Sequence, residues 1–463
     1  MPSRLRGCVC DQIQLTMRRA FFAGLAILTL AIGLRADTPN VYAIRGARIV
    51  TAAGAPIESG TVVIRRGTID AVGASVAVPA DAAVIDGAGL TVYPGLIDLG
   101  NTRAADQAIP ATPQNFRTTA ELERWKRIQI LKPQARAADA VRVDDAELTR
   151  LASAGITSVL ALPAGDVISG QSALVNVAAP PDDPQIGNVV DQRRGLIVVK
   201  TPVAVHVSFP NQPRSGGNAY PNSLMGVIAF VRQAFLDAQH YGLARGALRT
   251  SGPQVPDDPA MDALQPAVEG KMPVAFEANR AREILRALKF AKELKLQPIV
   301  TGGREAVDVV SDLKSQNVRV VYSLNFPQRP RALAPDADEP IETLRTRADA
   351  PKAPGELAKA GVTFAFESAG LADPKDFVKN AAKAVKAGLA EDAALRALTI
   401  TAATMAGAGD RLGSIEKGKI ANLIVTDGNL FDEKTKITRV FVDGRSIAID
   451  ATPAAPVGRG RGQ

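Results

Sequence analysis

Thr91-Val-Tyr-Pro-Gly-Leu-Ile-Asp-Leu-Gly-Asn-Thr-Arg103 is the stretch on which the reading of the fold turns. Thr91 to Leu99 is apolar at most positions, as a buried strand is, and it is interrupted by Pro94-Gly95. One acid, Asp98, stands near its end, and small polar residues follow.

On the amino-terminal side, from Val41 to Val92, short strands alternate with turns. Gly60 to Gly73 reads as a hairpin about Arg65-Arg66-Gly67, with apolar residues on both arms. Two strands cannot stand alone in water and need further strands to pack on. Matching strand-and-turn stretches lie at the far end of the chain, Leu412 to Asp427 and Ile437 to Arg445. The two ends, residues 41–92 and 408–450, are therefore expected to close into one small β-sandwich.

Between them, over residues 93–407, helices and apolar strands alternate. Asp144-Asp145 caps a helix running to Ser153, Gly155 closes it, and Ile156 to Ala161 is a buried strand. Asn279 to Leu294 is an amphipathic helix with Ile284, Leu285, Leu288 and Ala291 on one face, and Leu296 to Thr301 returns as a strand. Helix Glu305 to Lys314 and strand Val318 to Ser323 follow, then helix Gly355 to Ala360 and strand Val362 to Phe366. Helices from Asp373-Pro374 to Gly388 and from Glu391 to Thr399 complete the series. Helix, glycine or asparagine, then strand, at a spacing of roughly twenty residues, is the pattern of a parallel barrel. The expected fold class is thus α/β, a (β/α)8 TIM-like barrel plus the small β-sandwich formed from both chain ends. Residues 103–140 and 205–270 break the rhythm and are expected as long loops over the barrel mouth. The second region holds a helix from Ser223 to Tyr241 with Leu224, Val227, Val231, Phe235 and Ala238 as its apolar face.

The 463 residues suit a barrel with a satellite domain, and the 46% hydrophobic and 22% charged composition is that of a globular chain. The net charge of +8 misleads as a guide to partners, because residues 1–36 hold five basic side chains and one acid, so that +8 − 4 leaves +4. No basic patch with interleaved aromatics remains, and nucleic acid is not expected as a partner. Met17 to Ala36 joins a basic start to about fifteen uncharged residues, the length of a secretory leader rather than of a spanning helix. Residues 1–36 are therefore expected as a signal peptide, starting at Met17 and cleaved after Leu34-Arg35-Ala36, with an uncleaved anchor as the alternative. A periplasmic or secreted protein, free of the membrane after cleavage, is the expectation. Both cysteines, Cys8 and Cys10, fall in this leader, so the body has neither disulfide nor thiolate nucleophile. Residues 451–463, rich in Pro and Gly-Arg, are expected as a disordered tail.

Pro94-Gly-Leu-Ile-Asp98 resembles the left half of the P-G-x-I-D-x-H-x-H strand of the metal-dependent amidohydrolase superfamily. Leu412-Gly-Ser-Ile-Glu-Lys-Gly-Lys-Ile-Ala-Asn-Leu423 and Val440-Phe-Val-Asp-Gly-Arg445 are similar to that family's tail pattern, with Asn422 where Asp is usual. The imidazolonepropionase-like branch is the nearest resemblance, and its ligand positions can be followed along the chain. The two histidines of the first strand fall on Gly100 and Thr102, and those of a P-V-x-I-H-A-H-R-A strand fall on Glu277 and Asn279 within Pro273 to Ala281. The next ligand position falls on Gly302, and the acid of an S-D-x pattern on Ala369, after Glu367-Ser368. No bridging lysine or glutamate is evident.

Only Glu277 among these positions coordinates a metal well, whereas zinc hydrolysis needs about three protein ligands and an open place for water. The family would use zinc or a similar divalent ion, and here no such cofactor is expected. Asp98 and Glu277 are the candidate catalytic pair, since two carboxylates can divide acid and base roles. The plainer alternative is that Asp98 bonds neighbouring backbone while Glu277 pairs with Arg280 or Arg304. Gly100, Thr102, Asn279, Gly302 and Ala369 are expected to line the pocket. His206 lies in an alternating strand and His240 at a helix end, neither beside a second histidine. Ile168 to Val177 resembles a family loop, and Gly302-Gly303 could offer free amides to an anion. The resemblance implies a degenerate amidohydrolase that binds a small amide or peptide-like ligand or pairs with a catalytically intact relative, as part of an oligomer. The alternative is an active hydrolase of cyclic or other non-peptide amide C–N bonds that uses atypical carboxylates, with Glu305 and Glu367 as further candidates.

Overall fold

Strands that bury both faces show it here by an alternation between two cores. In Leu96–Asn101, Ile97 and Leu99 turn to one side and Leu96 to the other. In Arg319–Ser323, Val321 joins the first group, while Val320 and Tyr322 pack with helical residues such as Leu357 and Phe377. The inner group, with Leu160, Leu174, Ala275, Ile299 and Ala365, belongs to one apolar cluster. This is why these segments read in the sequence as unbroken hydrophobic runs.

The computed structural model describes residues 40–105, 111–113, 115–141, 145–178, 197–247, 255–334, 336–447 and 449. The leader, Asp144 and the tail from Ala451 lie outside them. Among the described residues no helix is long and apolar enough to cross a membrane.

Five parallel strands stand side by side in the order Val205–Ser208, Val274–Ala278, Pro298–Gly302, Arg319–Ser323 and Phe364–Glu367. Leu96–Asn101 pairs in parallel with Ile156–Ala161, and it also lies against Phe364–Glu367, where Ala369 N donates to Gly100 O at 3.2 Å. The helices between them follow the sequence periodicity closely: Asp145–Ser153, Ala281–Glu293, Ala353–Lys359, Lys375–Lys386 and Glu391–Leu398. Gly155, at φ +79°, ends the first of them.

Four expectations are corrected. Residues 168–177 are not a loop: Ile168–Gln171 and Ala173–Asn176 are strands, antiparallel to both neighbours. The cause is connection length, because the eleven residues 162–172 between Ile156–Ala161 and its partner Ala173–Asn176 are too few for a parallel crossover. Regions 103–140 and 205–270 are more helical than expected, with Thr119–Ile130 and Pro259–Val268 capped by Thr118 and Asp258. The helix Leu224–Ala247 continues past Tyr241, so His240 is exposed within it rather than at its end. On Ala281–Glu293 the buried face is Ile284, Ala287, Leu288, Phe290 and Ala291, and Leu285 faces outward.

Both chain ends meet in one eight-stranded sheet, in which Thr91–Pro94 joins Leu423–Thr426 to Val41–Ile49. The hairpin turn at Arg66 and Gly67 has φ +49° and +83°, the mirror-image turn such hairpins favour. Thr91–Pro94 runs through Gly95 straight into Leu96–Asn101, so this sheet and the central strands share a seam. At Gly95 a Cβ would lie 2.1 Å from Thr157 Oγ1, which is why the chain needs glycine there. The Gly95 amide donates to Asn422 O at 2.8 Å. Asn422 Nδ2 donates to Ser158 Oγ at 3.0 Å and Asn176 Oδ1 at 2.9 Å, and its Oδ1 accepts from Asp443 N at 2.7 Å. An aspartate at 422 could not make the two donations.

Candidate functional site

The carboxyl ends of the central strands bring Asp98, Glu277 and Glu367 into one electrostatic group. Asp98 is wholly buried and bonded four ways. Its Oδ1 accepts from Gly100 N at 3.1 Å and Ser368 N at 2.8 Å, and its Oδ2 from Asn101 Nδ2 at 3.0 Å and Ser368 Oγ at 2.6 Å. Burial still holds its carboxyl above the ordinary range despite these bonds. It ties the strand Leu96–Asn101 to the turn after Phe364–Glu367. Both of its oxygens are engaged, as the plainer alternative for Asp98 expects.

Glu277 is open to solvent and lies beyond ion-pair distance of Arg280 and Arg304. Protein on several sides nevertheless raises its carboxyl by desolvation, and Glu283 and Asp166 push the same way while Arg214 opposes them. Arg214 also holds Asp166, donating its backbone N–H to Oδ2 with Nε 3.5 Å from Oδ1. Asp166 and Arg214 carry no motif in the sequence. Only the fold places them beside Glu277.

Glu367 is the least expected member. It is 5% exposed and its carboxyl is raised well above the usual range, first by burial and then by Asp98 and Glu277; the Gly302 amide and Arg304 offset this in part. Its side chain takes the room that a side chain at residue 100 would need: a Cβ on Gly100 would stand 2.5 Å from Glu367 Oε2 and 2.7 Å from its Cβ. The same happens at Gly302, where a Cβ would lie 2.5 Å from Asn279 Oδ1. Two positions at which the resemblance implies ligands are thus glycines whose space a neighbouring polar side chain fills.

The remaining expected residues are scattered in role. Thr102 is exposed and lines a small cleft with Arg103 and Ser368. Ala369 contributes backbone only, its O accepting from Asn325 Nδ2 at 3.1 Å. Glu305 caps the helix Ala281–Glu293, accepting from Ala281 N at 2.8 Å, so it does not join the carboxyl group. The amides after Gly302 are committed too: Gly303 N donates to Ala278 O at 3.0 Å and Glu305 N to Asn279 O at 2.9 Å, which removes the anion site expected there. His206 faces the apolar interior beside a cavity of about 20 Å³, where burial pushes its imidazole down to about 4 and Nε2 has no partner.

A divalent ion of the kind this architecture usually carries would need several donors converging on one point. Among the described residues no three of His, Cys, Asp and Glu are so grouped. The oxygens that do come together are turned to other tasks: Asp98 to four hydrogen bonds, Glu367 to the space above Gly100. The residues present do not fit the ion.

Comparison with known proteins gives the frame. Residues 251–447 match the model of the amidohydrolase family. The amidohydrolase tasK of Hapsidospora irregularis is 23% identical over 404 residues, which cover 83% of this chain and 39% of that protein. The chain therefore spans about two fifths of the length of the curated relative it matches. Among solved structures, an amidohydrolase from Thermotoga maritima superposes with a TM-score of 0.69 at 22% identity, over 88% of this chain and 99% of that one. The carboxyl-terminal part of the chain, residues 251–447, is thus similar to the amidohydrolase family, and the whole described chain shares its fold with the Thermotoga protein.

Proposed function

We propose that this is an exported amidohydrolase-family protein that has given up the metal centre and binds an amide or peptide-like ligand at the strand ends without hydrolysing it. The observation that carries the reading is the filling of Gly100 and Gly302: a lost ligand leaves a hole, whereas here Glu367 and Asn279 occupy the space. A carboxyl that holds its proton to unusually high pH donates a hydrogen bond to a carbonyl, while the open Glu277 accepts one from an amide N–H. A lactam or dipeptide presents both groups. The architecture behind this is an eight-strand barrel over residues 93–407. The antiparallel segments 168–176 and 197–208 support closure on one side, and the contact of Leu96–Asn101 with Phe364–Glu367 supports it on the other. Residues 41–92 and 408–450 form the sandwich beside it, supported by a single apolar core shared by Ile44, Ile64, Leu423 and Phe441. The leader of residues 1–36 carries the chain to the periplasm or beyond, where a catalytically intact relative or further copies are its partners.

The test is to load purified protein with excess Zn²⁺, dialyse it and count bound metal while scanning dipeptides and cyclic amides by thermal shift. The expected result is far less than one equivalent of zinc, together with a ligand that raises Tm and is recovered unchanged. Near-stoichiometric metal would overturn the reading.

A second reading, an active hydrolase of non-peptide amide bonds, is favoured by one observation: the raised, neighbouring carboxyls of Glu367 and Glu277 form a pattern that acid–base chemistry uses. It requires that Glu277→Gln abolish turnover of an amide while the fold survives.

A further inference from the structure

On another face of the molecule, the helix Lys375–Lys386 borders a cavity of about 690 Å³ that shares no residue with the strand-end site. The size suits a small organic molecule, since ligand cavities run to roughly 300–1,000 Å³. Its opposite wall is the segment Leu430 to Ile437 with Ile449, and its base includes Ala154, at the end of the helix Asp145–Ser153. The lining divides into two kinds of surface. Val378, Ala382, Leu430, Phe431 and Ile437 give an apolar floor. Lys375, Lys379, Lys383 and Lys386 rise from one side of the helix at steps of three and four, and Lys436 joins them from across the cavity. Five lysines against two acids, Asp432 and Glu433, leave a lining charge of 5 − 2 = +3.

Ion pairing does not remove this excess. Lys386 pairs with Glu433, and Lys379 with Asp376 on its own helix at 3.4 Å. Lys375, Lys383 and Lys436 have no ion pair among the described residues. Like charges gathered on one side of a helix repel one another and are tolerated at a cost. The helix needs its apolar face for packing, yet nothing in packing asks for cations at every step of the other rim. An apolar trough with uncompensated cations along its edge is complementary to one chemical class: an acyl or aryl body carrying a carboxylate, sulfonate or phosphate.

We propose that this groove is a binding site for a small amphipathic anion, seated with its apolar part on Phe431 and Val378 and its charged end at Lys375, Lys383 and Lys436. The lysine stems extend the apolar wall while their ammonium groups meet the anion. The site stands independently of what binds at the strand ends.

Titration calorimetry of the whole protein with decanoate at low salt, below its micelle concentration, tests this. Acetate, which has the charge without the chain, and octyl glucoside, which has a chain without the charge, are the comparisons. Decanoate is expected to bind at one site about tenfold or more tighter than either, and to weaken as salt is added. Lys375→Ala with Lys383→Ala, both exposed and fold-neutral by circular dichroism, is expected to cost about tenfold, while the distant Lys289→Ala changes nothing. Three results would overturn the proposal: no saturable decanoate binding, equal binding of octyl glucoside, or unaltered affinity in the double variant. It would also fall if the groove served self-association, seen as a dimer in light scattering that Lys383→Glu dissociates.

Discussion

Among the places where this molecule buries polar side chains, two do so in different ways. At the seam between the terminal sheet and the central strands, the neutral side chains of Asn422, Ser158 and Asn176 bond one another, and the buried Asp443 donates its backbone N–H to Asn422 Oδ1. At the strand ends, Asp98, Glu367 and Glu277 are acids, and Asp98 accepts two hydrogen bonds at each oxygen. Neutral groups that satisfy one another hold a structure together at little electrostatic cost, whereas neighbouring carboxyls raise one another's proton affinity and work against folding.

The comparison can be broken most severely at its one overlap, the fully bonded acid. Asp98→Ala leaves the Gly100 and Ser368 amides, Asn101 Nδ2 and Ser368 Oγ without an acceptor in a buried place, and should cost about 3–5 kcal/mol in urea unfolding. A loss under about 1 kcal/mol would show that water answers those donors equally well. Next comes the filled position: Gly100→Ala must displace Glu367 and should cost about 1–3 kcal/mol, part of which returns when Glu367→Gly is added to the same chain. Simple additivity of the two changes would refute the claim that they compete for one space.

The pH dependence sharpens the contrast further. Glu367 binds its proton more tightly folded than unfolded, so its contribution is complete below about 4.5 and is lost as pH rises toward the folded value, at about 1.4 kcal/mol per unit. His206 runs the other way: its folded value of about 4 lies below the ordinary 6.5, so stability is present above 6.5 and falls as pH drops toward 4. Glu367→Gln should therefore steepen the gain in stability between pH 4.5 and 6.5 by removing the opposing slope. An unchanged profile would mean that Glu367 titrates normally. The smallest effect is expected at the seam. Asn422→Asp loses two donations but can regain one if the Asn176 amide turns its unpartnered Nδ2 inward, for a net cost of about 1 kcal/mol.

Much of this was legible in the chain. The strand Ile156–Ala161 and the helix Glu391–Leu398 follow from periodicity and their end signals, because those act over a few residues. The pairing of the chain ends followed from their strand-and-turn character, since two-stranded pieces cannot stand alone. The antiparallel course of residues 168–176 was missed because Gly170 and Ser172 interrupt the alternation, and the helix Thr119–Ile130 because its flanks read as loop. At the site, the sequence showed that no imidazole stands at residues 100, 102, 277, 279 and 302, but not which side chains lie against Gly100 and Gly302.

What the sequence determined by itself was the residue inventory and the local geometry: two histidines, no cysteine beyond the first ten residues, glycine where a ligand would stand, and the order of helices and strands. What only the tertiary structure decided was which side chains lie against those glycines. Glu367 reaches over Gly100 across 267 positions of chain, Asn279 fills the space at Gly302, and Arg214 meets Asp166 beside Glu277. Such meetings depend on how strands distant in the chain lie side by side, and no local pattern of residues encodes that distance.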